Sequence, residues 1–175
     1  DKNIDTYMKN TDAEFPLVYV SFPSAKDSDF DNKNLDYATM EIITIANWTD
    51  YIHWKEMPWK KRGDDYEILK ENIIQKLLAI VFKYVPQIED AIDYKELSTP
   101  LSVRSLANYS KGELYGINHT PDRFKQKWLK PQSDIKNLFL TGQDITSVGV
   151  ASALFSGLIT ASTITKKNLM KELLT

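Results

Sequence analysis

The stretch best equipped for chemistry is Thr141-Gly142-Gln143-Asp144, followed five residues on by Gly149-Val150-Ala151. A carboxylate in a glycine turn can accept hydrogen bonds from hydroxyl groups, and Gly142 and Gly149 permit a tight turn and a close backbone approach. If Gly149 opens a helix, the amides of Val150 and Ala151 have no intrahelical acceptor. They carry partial positive charge and favour an electron-rich ligand edge. Gly149, Ala153, Gly157 and Ala161 recur every fourth residue and leave one helix face nearly bare. Such a face can lie close to a sheet or to a flat ligand. Tight packing, with Asp144 as a turn or capping residue, accounts for the same pattern.

Other candidates are sparser. His53 and His119 are the only histidines, and there is no cysteine. Disulfides, thiolate metal sites and a thiol nucleophile are thereby excluded. Two distant histidines without a nearby carboxylate ladder make no metal site. His119 lies in Gly116-Ile117-Asn118-His119-Thr120, beside a glycine that allows approach to a ligand. It could donate a proton to a substrate, or it is a loop histidine bonded to backbone, which is the simpler expectation. Tyr115, with Phe22 and Trp48, could line an apolar substrate tunnel or belong to the core. Trp54-Lys55-Glu56-Met57-Pro58-Trp59-Lys60-Lys61-Arg62 interleaves aromatic and basic residues. A surface loop whose tryptophans cover the core is preferred, ahead of an interfacial membrane patch. Stacking on nucleic acid comes last, since a net charge of -2 supplies no field for that partner.

The elements that position these residues follow from periodicity. Leu138-Phe139-Leu140 predicts a buried strand running into the turn, and Val148–Ile164 a buried helix. That helix is too short and too rich in hydroxyls for a membrane span. Leu17–Phe22 predicts a strand ended by Pro23, and Tyr37–Trp48 a second strand antiparallel to it. Ile68, Ile73, Leu77, Ile80, Val81 and Tyr84 give helical spacing from Asp64-Asp65 to a stop at Pro86. A short helix is expected over Gln87–Ile92, an extended segment over Leu97–Ala107 around Pro100, and a glycine-punctuated loop over Tyr109–Arg123. Residues 1–15 predict a loop or short helix, Lys26–Asn34 a charged loop, and the tail from Lys166 a helix. The fold class is α+β, a mixed β-sheet with helices on one side. A length of 175 residues is most simply one domain.

Thr141-Gly142-Gln143-Asp144, then Gly149 and Ser152-Ala153-Leu154-Phe155-Ser156-Gly157-Leu158, resembles the C-terminal FAD motif of a flavoprotein group. That group contains the phytoene desaturases, the carotenoid isomerases and the retinol saturases. Pro23-Ser24-Ala25-Lys26-Asp27, Lys61-Arg62-Gly63-Asp64-Asp65-Tyr66, Thr99-Pro100-Leu101, Gly112-Glu113-Leu114-Tyr115-Gly116, Arg123-Phe124 and Leu129-Lys130-Pro131 are similar to its segments in the same order. The retinol saturase-like branch is the most similar.

The resemblance implies the C-terminal part of a two-domain FAD-binding (Rossmann-type) flavoprotein. Residues 1–137 would then be a substrate-domain portion and residues 138–175 the segment completing the FAD-binding domain. The matching acid, Asp144, would accept hydrogen bonds from the ribityl–phosphate arm, with Gly142 and Gln143 bringing backbone to the same arm. Gly149, Val150 and Ala151 would meet the pyrimidine edge of the flavin, and Tyr115 and His119 would face substrate. No catalytic residue is assigned. The chain carries no Gly-x-Gly-x-x-Gly, so the ADP half of FAD would need an N-terminal dinucleotide-binding part of the parent. The polar start and missing initiator Met also suggest a fragment, inactive alone. The implied activity is redox at carbon–carbon double bonds of a lipophilic, carotenoid- or retinoid-like substrate (desaturation, saturation or isomerisation). NAD(P) is left open as an electron partner. The expected location is cytoplasmic, with peripheral membrane contact as an option. The alternative class is a non-catalytic binding module with a membrane- or protein-facing tryptophan loop.

Overall fold

Alternating β-branched and aromatic residues favour a short β ladder near the start of the chain. In a computed structural model describing residues 2–10, 14–33 and 35–174, an opening helix, α1 (Lys2–Lys9), precedes strand β1 (Val18–Ser21). A one-turn helix, α2 (Pro23–Lys26), follows, and then β2 (Glu41–Thr44). The strands pair antiparallel with Tyr19 opposite Ile43 and Val20 opposite Ile42. The antiparallel pairing expected of Leu17–Phe22 and Tyr37–Trp48 is present, but each strand is only four residues long. Among the described residues this ribbon is the whole sheet. The helix-plus-sheet class stands, and no mixed sheet forms among the described residues.

Residues to Gly112 form one compact unit and residues from Glu113 a second. In the first, α3 (Asp64–Phe82) runs where the apolar spacing places it, with Asp64, Asp65 and Glu67 at its positive N-terminal end. It buries Tyr66, Leu77, Leu78 and Val81, while Ile68 and Tyr84 of the predicted apolar set stay exposed. The chain then makes a 3₁₀ turn at Pro86–Ile88, shorter than the helix expected there.

Leu97–Ala107 is not extended. Pro100–Ala107 is a helix, α4, with Thr99 as its N-cap. Thr99 Oγ1 accepts from Leu101 N–H (3.2 Å), and Ser102 Oγ accepts from Thr99 N–H (3.1 Å). Pro100 therefore begins the helix rather than breaking it, since the first helical position needs no donor. Fully buried Leu101 joins Tyr51 and Tyr66 in the core, and Trp48 and Trp54 pack against them. Of the tryptophans in the loop Trp54–Arg62, Trp54 packs on this core. Buried Arg62 lies 5.6 Å from the Trp59 ring centre and 5.2 Å from that of Tyr66.

In the second unit, α5 (Pro121–Phe124), α6 (Val150–Thr165) and α7 (Leu169–Leu174) are the helices. Leu138–Leu140 does not form the buried strand predicted for it. It makes a single antiparallel bridge, Gln132 to Phe139, and Leu140 N–H donates to Pro131 O (2.8 Å). A central strand needs a pairing partner along each edge, and the described residues supply only this short pairing along one edge. Lys166 adopts a left-handed conformation (φ 55°) that ends α6, so the tail is a separate short helix. Among the described residues no helix is long and apolar enough to cross a membrane.

Candidate functional site

Hydroxyl groups fasten α6 to the segment that enters the turn. Buried Ser156 accepts from Gly142 N–H through Oγ at 2.9 Å, and Thr160 Oγ1 donates to Leu140 O at 2.9 Å. One turn earlier, Thr146 Oγ1 donates to Ser152 O at 2.9 Å. The stripe that approaches the backbone closely is thus Ser152, Ser156 and Thr160, one residue round the helix from the small-residue stripe singled out above. A Cβ placed on Gly157 would meet nothing within 4 Å, so this glycine does not serve close packing. Nor is α6 a buried helix. Val150 and Leu154 are 89% and 78% exposed, because the contacts to the turn use its polar side.

The turn needs its glycines for backbone reasons. Gly142 and Gly149 have φ of 104° and 101°, values costly for any residue with a Cβ. An added Cβ at either would meet nothing within 4 Å, so the space beside both is open. Gly149 is the N-cap of α6 and offers no side chain to its amides. The first turn holds no acidic residue, and the first intrahelical bond is from Ala153 N–H to Gly149 O at 3.0 Å. Val150 and Ala151 therefore present amide donors with no partner among the described residues. Gln143 Oε1 takes only a long contact from Gly149 N–H, at 3.4 Å.

Asp144 faces inward across the turn. Its Oδ1 accepts from Ile117 N–H at 2.9 Å, and Oδ2 has no partner among the described residues. Gly116, at φ 66°, passes so close that an added Cβ would collide with Asp144 Oδ1. The glycine beside His119 thus makes room for the protein's own carboxylate. His119 is bonded to a side chain rather than to backbone: Arg123 Nη1 lies 2.7 Å from its Nε2 and 2.8 Å from its Nδ1. Tyr115 stands 58% exposed, on the loop next to Gly116.

The structure thus brings Gly142, Gln143, Asp144, Gly149, Val150 and Ala151 into one turn and helix start, and joins His119 to it through Arg123. Arg123 is the residue that sequence reasoning undervalued. It occurs within a resembling dipeptide, yet a lone arginine just inside a Thr-Pro-Asp helix start looks like surface. What the site offers is a free carboxylate oxygen, unpaired helix amides and open space beside two glycines. That set suits a ligand carrying hydroxyls and an electron-rich edge.

The chain is similar to proteins named all-trans-retinol 13,14-reductase. It is 36% identical to that of Danio rerio over 160 residues, covering 90% of this chain and 26% of the relative. It is 31% identical to that of Rattus norvegicus over 180 residues, covering 99% of this chain and 30% of the relative. It is 32% identical to that of Homo sapiens over 161 residues, covering 90% and 26%. No protein-family profile matches the chain, and no solved structure does. The chain spans roughly a quarter to three tenths of these relatives' lengths. Within that span, its similarity is to the retinol saturase group.

Proposed function

We propose that the chain is the C-terminal segment of an FAD-dependent oxidoreductase that acts on a carbon–carbon double bond of a retinoid-like substrate. The observation that carries this reading is the uncapped start of α6 beside the free Oδ2 of Asp144, in a chain whose relatives are named for reduction of all-trans-retinol. Asp144 Oδ2 would accept from a hydroxyl of the cofactor's ribityl–phosphate arm. The backbone of Gly142 and Gln143 would border that arm, and the amides of Val150 and Ala151 would donate to the pyrimidine edge. Bound there, FAD would supply hydride transfer to or from its ring. The chain's own residues would hold the cofactor, orient it and favour its electron-rich form through the helix terminus. A dinucleotide-binding part outside these 175 residues would hold the ADP half. Retinoids are the substrates to screen first and carotenoids second, with NAD(P) as a candidate electron partner. We also propose a cytoplasmic protein with peripheral membrane contact, as extraction of a lipid-dissolved substrate would require.

The test is the visible absorption spectrum of the full-length protein. Flavin bands are expected. Asp144→Ala should weaken flavin retention roughly tenfold to a hundredfold, the worth of a hydrogen bond to a charged group. Asp144→Asn keeps an acceptor for Ile117 N–H and separates loss of the cofactor contact from loss of the turn. A colourless, folded protein that takes up no added FAD would defeat the reading. It would leave the second one, a non-catalytic binding module, for which the exposed apolar residues Val150 and Leu154 are the supporting observation.

A further inference from the structure

We infer that Arg123 is the positioning residue of the candidate site, the group that fixes where the Asp144 carboxylate and the Gln143–Asp144 backbone stand. The inference uses the flavin reading for one of its two readouts only. Arg123 is 4% exposed. Its Nη2 donates to Gln143 O (3.0 Å) and to Asp144 O (2.9 Å). Its Nη1 donates to Ile117 O (2.9 Å) and meets the His119 ring. One planar fork therefore spans two loops, residues 117–119 and residues 143–144, that are far apart in sequence.

The same loops are tied a second time in the opposite sense, by Ile117 N–H on Asp144 Oδ1 (2.9 Å). The result is a closed clasp. A cation holds the carbonyls of Ile117 and Asp144, and the carboxylate of Asp144 holds the amide of Ile117. Gly116 supplies the clearance, since a Cβ there would strike the carboxylate. No acidic side chain forms an ion pair with Arg123 among the described residues; three backbone carbonyls, the His119 ring and the Phe124 ring (5.8 Å to its centre) surround its charge. A buried guanidinium devoted to backbone carbonyls fixes backbone position, because its donors leave in set directions in one plane. A lysine keeps the charge but has a point-like ammonium on a flexible stem. It cannot hold two donors on one loop and, from a second nitrogen fixed in the same plane, another on the second loop.

The experiment compares wild type, Arg123→Lys and Arg123→Gln in the full-length protein. It reads amide hydrogen exchange without cofactor, and FAD affinity by titration. Both variants should raise exchange of the Ile117 amide about tenfold or more while the central amides of α6 keep their protection. Both should also weaken FAD binding by on the order of tenfold, the lysine nearly as much as the glutamine. Arg123→Lys behaving as wild type would overturn the inference, because charge rather than the fork would then suffice. Unchanged Ile117 exchange in both variants would overturn it too. So would a parallel loss of protection through α6, which would make Arg123 a general stability residue. Raised Ile117 exchange with unchanged FAD affinity would remove Arg123 from the site. If wild type takes up no FAD while Ile117 responds as expected, the flavin reading fails and the clasp stands.

Discussion

Asp50 shows how a single carboxylate can be held at a cost. It lies at the start of the 3₁₀ turn Trp48–Trp54, next to buried Tyr51. Burial pushes its carboxyl above the ordinary value of 3.8, only partly opposed by a hydrogen bond from Thr49. Burial, and then the nearby Asp50 charge, also raises Tyr7. Because the folded state holds the Asp50 proton more tightly than the unfolded chain, stability falls as pH rises from about 3.8 through the folded value. Above that window the penalty is constant, and below it the penalty is gone. Asp50→Asn removes the charge and should raise the melting temperature at pH 7. The gain should shrink toward zero in melts near pH 3. A gain that persists at pH 3 would assign the effect to something other than ionisation. Asp144 and Arg123 contrast with this residue, since each is held by hydrogen bonds to backbone of a distant loop. Asp144 was legible because an acid between two glycines is a rare local pattern. Arg123 was not, because three of its partners are backbone carbonyls, which leave no trace in residue types.

At the scale of elements, α4 depends on its first residues. Thr99 caps it, and its Oγ1 also lies 2.6 Å from the Tyr66 hydroxyl of α3, both groups being buried. Thr99→Ala removes a cap and strands a buried hydroxyl, so it should cost about 2–3 kcal/mol in urea unfolding. Tyr66→Phe alone should cost about 1 kcal/mol. The double variant should be less destabilised than the sum of the two, since the second change removes a group already unpaired. Strict additivity would mean that the Tyr66–Thr99 bond is not formed. Pro100 within an apolar run suggests an interrupted extended segment, yet Thr-Pro-Leu-Ser is equally a helix start, and the Thr99 cap decides for the helix. Helix α3 was legible because its spacing and acidic first turn agree with each other. Strand 138–140 was misread for a reason that no local pattern reveals. Apolar composition marks a segment that favours pairing, and pairing depends on neighbours elsewhere in the chain.

At the scale of the molecule, the unpartnered side of α6 and the proposed half-site lead to one expectation. A helix with Val150 89% and Leu154 78% exposed, and with Phe155 and Ile164 also exposed, leaves apolar area in water. Patches of that kind are normally covered. If a dinucleotide-binding part outside these 175 residues both covers α6 and holds the ADP half of FAD, the 175 residues alone should lack both. Titrated with FAD, the isolated chain should bind no tighter than on the order of 100 µM, since a ligand held by one end loses much of its contact energy but keeps most of its ordering cost. The same sample should also self-associate as its concentration rises, and Leu154→Lys should suppress that association. Neither observation suffices alone. Weak FAD binding without association would mean that α6 is stable uncovered, and association with tight stoichiometric FAD would mean that the site is complete in this chain. Only the two together, with Leu154→Lys abolishing association and leaving FAD binding equally weak, would place the missing ADP half and the missing cover on the same absent part.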